Sequence, residues 1–319
     1  MRLPKARGAL SDALFSVLRS GGPAPAGVAA ENRDDAAIAL WSLYELHYRG
    51  FEDVAEDAEW DPDLLRVRRT LEVGFEADLG ARAAAHAETY PDDPQRPVGD
   101  AIFALTEAHE GPSLADHVQR AASEDQVLEL LRQRSVYHLK EADPTSWVIP
   151  RLEAEPKAAL LELQFDEYGC GRVEQLHHRL FERGMISCGL RAEYGAYVDE
   201  AVVEVLEQNN AMSLFGLHRR LRGAALGHLA AFEATSSLPS RRVTQGLERL
   251  GMAPEVVHYY AEHVEADAAH EQLAARIICG ALVDADPTQR ESVLLGVRAC
   301  LVLEDAVATR MLAQWEATA

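Results

Sequence analysis

With 319 residues and 48% hydrophobic side chains, the chain can bury a large core, which excludes general disorder. Its formal net charge of −21 argues against nucleic acid or an anionic membrane as a partner, because phosphate contacts require a basic surface. The four cysteines form no CxxC pair, and no apolar run approaches the roughly 18 residues that span a bilayer. We therefore expect a cytoplasmic protein with reduced thiols.

The first 123 residues predict helices joined by flexible connectors. Ser11 is expected to cap the first helix, and the Gly- and Pro-rich segment 21–27 to end it. Asp61-Pro62 has the acidic cap and the first-turn proline with which helices commonly begin. We predict that residues 1–123 form an N-terminal helical region, either packed on the rest of the chain or continuous with it as one domain.

From residue 124 onward helical periodicity becomes denser, with prolines between the periodic segments and no convincing alternating strand. An all-α bundle over residues 124–319, with the N-terminal helices added to it, is the predicted fold. The helices are predicted over 124–142, 144–154, 156–168, 171–184, 192–208, 211–235, 240–250, 254–283 and 286–317.

The stretch HVEADAAH, residues 263–270, places three possible metal ligands on one side of a helix. At about 100° per residue, Asp267 lies about 40° to one side of His263 and His270 about 20° to the other. Two imidazoles and a carboxylate that converge in this way form a plausible half of a metal site. Ordinary bundle histidines bonded to Asp267 would give the same pattern, so this explanation stays open.

Further ligands are available in LQFDEYGCGRVEQLHHRLF, residues 163–181. Glu174 and His177 have the Glu-x-x-His spacing that di-iron carboxylate bundles use, and Glu167 precedes them. Because Gly169 and Gly171 favour local unwinding, the angles between these side chains are approximate.

Two more glutamates are candidates. Glu233 lies in the apolar stretch LAAFEA, where a buried carboxylate would be costly without a cation. Glu141, near a predicted helix end, is a further ligand candidate. A surface position is the simpler explanation for any one of these residues alone. We interpret four other histidines as structural: His138, His178, His228 and His258.

Taken together, these elements resemble the heme-oxygenase-like di-iron oxidases and oxygenases, the iron-containing redox enzymes of bacterial biosynthetic pathways. The resemblance rests on Glu167 with His177, then Glu233, then the H-x3-D-x2-H element of His263, Asp267 and His270. It implies a heme-oxygenase-like bundle that binds two Fe(II) ions and uses O2 as co-substrate.

The likeness is greatest to members that oxidise an amine nitrogen, in which an additional carboxylate joins the ligands. Glu174 is the first candidate for this extra ligand and Glu141 the second. One departure is that Glu167 and His177 lie ten residues apart, whereas many members space this pair by seven or three.

The mixed nitrogen and oxygen ligand set suits Fe(II) or Mn(II). The resemblance implies an O2-dependent oxygenase of a small amine or amino acid, with an external electron donor and a possible homodimer. The same cofactor would also support desaturation or C–C cleavage of an amino or fatty acid. The pattern is compatible, in addition, with a helical scaffold protein and, less favourably, with a heme binder.

Sequence neighbours of the ligands are candidates for the substrate pocket. Lys140 and either Arg241 or Arg242 are candidates for binding a substrate carboxylate. The aromatic candidates for the pocket wall are Tyr137, Trp147, Phe165, Tyr168 and Phe232.

Overall fold

The computed structural model describes residues 1–25 and 27–318, without the side chains of 265–268 and 318. All regular secondary structure in this part of the chain is helical, and no strand occurs in it, as the sequence predicts. None of its helices is long and apolar enough to cross a lipid bilayer.

Seven α-helices precede residue 150: α1 (Ala9–Ser20), α2 (Arg33–Glu45), α3 (Pro62–Thr89), α4 (Val98–Ala108), α5 (Leu114–Arg120), α6 (Glu124–His138) and α7 (Asp143–Ser146). Eight follow: α8 (Ala154–Glu167), α9 (His177–Ser187), α10 (Val203–Leu217), α11 (Arg222–Ala234), α12 (Ser237–Leu250), α13 (Pro254–Gln272), α14 (Cys279–Ala285) and α15 (Arg290–Thr318). A π-helical segment, Leu273–Ile278, joins α13 to α14 without a break.

Side-chain caps explain where several helices begin. The Asp61 carboxylate accepts hydrogen bonds from the backbone N–H groups of Asp63 and Leu64, and Pro62 occupies the first turn of α3, as predicted. At α1, however, the cap position belongs to Gly8, and the Ser11 hydroxyl accepts hydrogen bonds from backbone N–H groups before the helix. Ser11 therefore takes part in capping α1, but from the third position of the helix and not as the N-cap residue.

Three helices predicted as continuous in the second half of the chain are interrupted or displaced. The helix predicted over 171–184 begins only at His177, because Gly169, Cys170 and Gly171 all have left-handed backbone conformations, with φ of 66°, 53° and 76°. The helix predicted over 192–208 begins only at Val203. A 3-10 turn, Arg219–Leu221, divides the region predicted as one helix over 211–235.

Two apolar cores hold the helices together. The first joins α1 and α2 to α6, α9, α10, α13 and α15, so residues before and after 123 share it. The second lies among α4, α8, α11, the π-helical segment, α14 and α15. The first 123 residues therefore pack against the bundle, and their separation as a region of their own stays a prediction.

Helices α11 and α15 cross at very close range, with glycine on both sides of the contact. A Cβ atom added to Gly227 would overlap the backbone carbonyl of Val293, and one added to Gly296 would overlap that of Ala224. Only glycine allows this approach. The crossing fixes the position of α11, which carries Glu233.

We predict that Gly227→Ala lowers the free energy of unfolding by about 1–3 kcal/mol, because the new methyl group must push α15 away. The matched control is Gly280→Ala in α14, where an added Cβ atom meets no other atom. The alanine also reduces the backbone freedom of the unfolded chain. Urea unfolding of both variants checks this. Equal effects of the two substitutions would contradict the tight crossing.

Candidate metal centre

Six buried side chains converge inside the bundle as two groups of possible metal ligands. In each group the ligand atoms lie within 4.8 Å of one another. The first consists of Glu141, His177 and His263; the second consists of Glu167, Glu233 and His270.

These ligands come from five different elements. Glu141 lies in the turn between α6 and α7, Glu167 is the last residue of α8, and His177 is the first residue of α9. Glu233 lies in α11, and His263 and His270 lie in α13. One turn and four separate helices therefore contribute ligands.

Helix α13 explains why there are two groups. His263 and His270 point in nearly the same direction but lie about 10.5 Å apart along the helix axis, so each joins a different group. The side chain of Asp267, the third member of the predicted motif, lies outside the described residues. Its role as a ligand stays a prediction.

Glu167 connects the two groups. Its Oε2 atom lies 3.0 Å from Nδ1 of His177, and its Oε1 atom lies 3.5 Å from Nδ1 of His270. Glu233 Oε2 lies 3.7 Å from the same His270 nitrogen, and Glu141 Oε1 lies 3.7 Å from Nε2 of His263. A carboxylate whose two oxygens face histidines of different groups is suited to bridging two cations.

Hydrogen bonds orient two of the imidazole rings. Nδ1 of His263 donates to the backbone carbonyl of Tyr259 at 2.8 Å, and Nε2 of His270 lies 3.3 Å from Oδ2 of Asp166. In both rings the other nitrogen is then free to face a cation, an arrangement that is usual for metal-binding histidines. The sequence analysis missed Asp166, although it directly precedes Glu167.

Three buried nitrogen atoms at this site have no hydrogen-bond partner: Nδ1 of His177, Nε2 of His263 and Nδ1 of His270. Each lies within 4 Å of a carboxylate oxygen. Unpaired buried polar atoms are rare in folded proteins and require an explanation. Imidazole nitrogens and carboxylate oxygens form a donor set that fits iron, so these residues are compatible with a metal centre.

Tyr259 and His138 hold Glu141 in place. The Tyr259 hydroxyl lies 3.1 and 3.2 Å from the two carboxylate oxygens of Glu141 and 2.5 Å from Nδ1 of His138. We interpreted His138 as structural, but it lies at the site, 3.8 Å from Glu141. Its position three residues before Glu141, and that of Tyr259 four residues before His263, are the signals that would have identified both.

Burial and mutual repulsion set the charges of the glutamates. Burial raises the pKa of Glu141 to about 8, and the nearby Glu167 carboxylate contributes to this increase. Burial also raises the pKa of Glu233. At Glu167 burial acts in the same direction, but the neighbouring histidines, His177 foremost, together outweigh it and lower the pKa. Three carboxylates buried so close together are costly unless protons or cations compensate their charge.

These carboxylates also shift the pKa values of the histidines. Burial by itself lowers the pKa of His177, but Glu167 outweighs it, and the pKa is raised to about 9. At His270 the effect of burial is overcome by Glu233, and the pKa again rises to about 9. At His263 burial prevails, and the pKa falls to about 4. The site thus attracts positive charge from protons or from a metal.

The structure does not bring Glu174 to the site. Glu174 is exposed, in a 3-10 turn formed by Val173–Gln175, and it belongs to neither ligand group. The reason is the left-handed backbone at residues 169–171, which ends α8 and removes the helical i, i+3 relation between Glu174 and His177. Glu141, the weaker candidate for an additional carboxylate, lies at the site instead.

Lys140, next to Glu141, is buried in an aromatic cage. Its Nζ atom lies 3.3 Å from Oε2 of Glu45 and 4.2 Å from the centre of the Tyr48 ring. The hydroxyl of Tyr194 donates to the same Glu45 oxygen at 2.7 Å. Lys140 therefore anchors the turn that carries Glu141.

None of the predicted carboxylate-binding cations is placed as expected. Lys140 pairs with Glu45, Arg242 pairs with Asp116 at 2.6 Å, and Arg241 is exposed. An ion pair or an exposed position explains each of these three side chains, so we assign none of them to substrate binding.

A cavity, here called the proximal cavity, adjoins the ligands. Glu141, Glu167, Glu233 and His263 contribute to its lining. Of the aromatic candidates, Tyr137 and Phe232 line it. The other three do not: Phe165 is exposed, the Tyr168 hydroxyl donates to Asp143, and Trp147 packs edge-on against Tyr48.

Comparisons with known proteins agree with this architecture. A family model described as "Iron-containing redox enzyme" matches residues 128–305, which is more than half of the chain. Among solved structures, a CADD-like protein of unknown function from Nostoc punctiforme is similar, with a TM-score of 0.50 and 15% identity. That match covers 76% of this chain and 98% of the other, and it supports the fold alone. No curated protein matches the chain.

The matched residues 128–305 contain all six ligand candidates that the structure brings together. The helical architecture also agrees with the heme-oxygenase-like fold that the sequence resemblance implies. The protein therefore belongs to the family of iron-containing redox enzymes with a heme-oxygenase-like fold.

Proposed function

We propose that the protein is a di-iron oxidoreductase that uses O2 to oxidise a small amine or amino acid, with N-oxygenation as the favoured reaction. The observation that carries this proposal is the pair of buried ligand groups that Glu167 connects, in which three imidazole nitrogens lack a hydrogen bond and lie near carboxylate oxygens. Two ferrous ions held there would supply electrons for the reduction of O2 beside a bound substrate.

The residues of the chain have separate tasks in this proposal. His177 and His263 with Glu141 would hold one ion, His270 with Glu233 would hold the other, and Glu167 would bind both. The Tyr259 carbonyl and the Asp166 carboxylate keep the protons of His263 and His270 on the nitrogens that face away from the ligand groups. The Tyr259 hydroxyl donates to Glu141 and restrains its carboxylate.

Apolar side chains next to the ligands restrict water. Leu163, Leu229 and Phe232 line the proximal cavity beside the carboxylates. In such a low-dielectric setting charge interactions are strengthened, and side reactions of an activated oxidant with water are reduced. An external electron donor is needed to return the iron to the ferrous state after each oxidation, and a homodimer remains part of the proposal.

Two alternative functions differ from the proposed one: the first in its reaction product, the second in its metal content. Desaturation or C–C cleavage of an amino or fatty acid would use the same ligands. A helical scaffold would bind no metal, but three carboxylates buried this close together are a costly arrangement for a scaffold.

The test is anaerobic titration with Fe(II), followed by exposure to O2 with candidate amines. We expect close to two irons per chain, no heme absorbance, O2 consumption that an amine accelerates, and a product that is heavier by one oxygen atom. A product lighter by two hydrogens would favour desaturation. Failure to bind iron would favour the scaffold.

A further inference from the structure

The proximal cavity is too small for the substrate of the proposed reaction. It leaves about 20 Å³ for the centres of water molecules, which is room for about one molecule. Even the smallest amine or amino acid is larger than a water molecule. A substrate therefore reaches the ligand groups only when part of the cavity wall moves.

The wall of this cavity has a buried part and a partly exposed rim. The buried part holds candidate metal ligands together with Leu163 and Gln164. The rim consists of the five described lining residues that are partly exposed: Tyr137, Ala142, Thr145, Leu229 and Phe232. Because the rim is the part of the described wall that solvent reaches, the passage into the cavity lies between these five residues.

Hydrogen bonds hold the backbone on one side of this passage, which α7 and the residue before it form. Nε2 of Gln164 donates to the carbonyl of Ala142 at 3.2 Å. The Tyr168 hydroxyl donates to Oδ1 of Asp143 at 2.9 Å, and the Ser146 hydroxyl lies 3.0 Å from that of Tyr168. These contacts tie both ends of α7 to the C-terminal end of α8.

Helix α11 forms the other side of the passage, and its backbone is held as well. Its crossing with α15 has no room for even one added Cβ atom at Gly227, two residues before Leu229. Rotation of a partly exposed side chain is much faster than the movement of a packed helix. Since the backbone is held on both sides, we expect side chains of the rim to open the passage.

Phe232 is the rim side chain best suited to this task. Its ring meets that of Tyr137 edge to face, with 5.7 Å between the ring centres. A phenyl ring carries no polar atom, so its rotation breaks no hydrogen bond. Phe232 also directly precedes Glu233, and both line the cavity. Rotation of this ring towards solvent would therefore widen the cavity next to a candidate metal ligand.

We propose that Phe232 is a gate residue: its ring turns away from Tyr137 to admit the substrate and returns to close the cavity over the metal ligands. The gate selects by size, because a molecule as small as water or O2 needs less widening than an amine. This inference rests on the proposed function for the identity of the molecule that enters, whereas the gate itself does not depend on iron.

The experiment places a reporter thiol behind the gate. Leu163→Cys puts a cysteine in the cavity wall at a position that is 1% exposed. The metal-free variant is treated with methyl methanethiosulfonate or with the bulkier benzyl methanethiosulfonate. The thiolate attacks the sulfur of either reagent, forms a mixed disulfide and releases methanesulfinate. Mass spectrometry of the peptides gives the labelling rate at residue 163 separately from those of the native cysteines.

In this background Phe232→Ala is expected to accelerate benzyl labelling about tenfold, which corresponds to about 1.4 kcal/mol in the barrier to entry. Methyl labelling should accelerate less, because a smaller reagent needs a smaller opening. Phe232→Trp should slow the benzyl reagent. The matched control is Phe165→Ala, which should change neither rate, because Phe165 is 57% exposed and does not line the cavity.

An unchanged benzyl rate in Phe232→Ala and Phe232→Trp would overturn the inference, as would equal acceleration by Phe165→Ala. Native Cys279, which is fully buried in the second apolar core, reports general loosening of the fold. If Phe232→Ala accelerated the labelling of Cys279 as much as that of residue 163, the protein would open as a whole and the gate would be refuted. If Phe232→Ala does not fold, Phe232→Trp decides.

Because labelling is measured without metal, failure of the gate is distinguishable from failure of the proposed function. Iron titration of the unaltered chain shows separately whether two ions bind. The expected labelling rates on a chain that binds no iron would contradict the proposed function alone. Two bound ions together with labelling rates that do not depend on residue 232 would contradict only the gate.

Discussion

Replacement of His263 by alanine is expected to reduce iron binding from two ions per chain to one. His263 belongs to the group with Glu141 and His177, whereas Glu167, Glu233 and His270 keep a complete set for the other ion. His270→Ala should remove that other ion, and the double variant should bind neither. Oxidation of any substrate is expected to fall at least 100-fold in each single variant, because two irons act together. Metal analysis and O2 consumption are the measurements, with circular dichroism to verify that the helices remain.

The matched control is Glu174→Gln, which changes an exposed glutamate only three residues before His177. It should leave both iron content and rate unchanged. Glu141→Gln, by contrast, should weaken the first ion, since Glu141 is buried and faces His263. If Glu174→Gln lost iron and Glu141→Gln did not, the assignment of the additional carboxylate would be reversed.

Replacement of Lys140 by methionine is expected to destabilise the metal-free protein by about 3–5 kcal/mol. The substitution leaves the Glu45 carboxylate, which is fully buried, without its cation. Because Lys140 anchors the turn that carries Glu141, a loss of iron affinity should accompany the loss of stability. Urea unfolding and iron titration measure the two effects separately.

Two further variants test whether the unpaired charge of Glu45 causes the loss of stability. In the double variant Lys140→Met with Glu45→Gln, most of the stability should return, because neither charge is then buried alone. Lys5→Met is the surface control: Lys5 lies 4.0 Å from Asp199 and is 86% exposed, so its loss should cost no more than about 1 kcal/mol. A large effect of Lys5→Met, or no recovery in the double variant, would contradict the buried-pair explanation.

The sequence predicts the all-α fold well because helical periodicity and proline positions are local signals. It also offers Glu167, His177, Glu233, His263 and His270 as candidate ligands, since a charged residue in an apolar stretch and a recurring helical spacing both appear in a linear chain. These five side chains are the ones that the structure brings together with Glu141.

The preference for Glu174 over Glu141 shows where local reasoning fails. Glu174 has the better spacing from His177, but spacing implies proximity only while the helix continues, and the left-handed residues 169–171 end it. Glu141 lies in a turn, where periodicity carries no information. The burial of Glu141 depends on two contacts of the tertiary fold: Lys140 pairs with Glu45, and Tyr259 bonds to Glu141 itself. Such long-range contacts cannot be inferred from spacing.

The glycine crossing divides the surface of α11 into two parts that tolerate sequence change very differently. Gly227 lies about 170° around the helix from the middle of the sector that carries Leu229, Phe232 and Glu233, which line the proximal cavity. On the crossing side, even one added methyl group overlaps α15. On the opposite side, Leu229 and Phe232 line the proximal cavity. Variation in substrate range, in nature or in a directed library, should therefore accumulate at these two positions while the glycine side of the same helix stays constant.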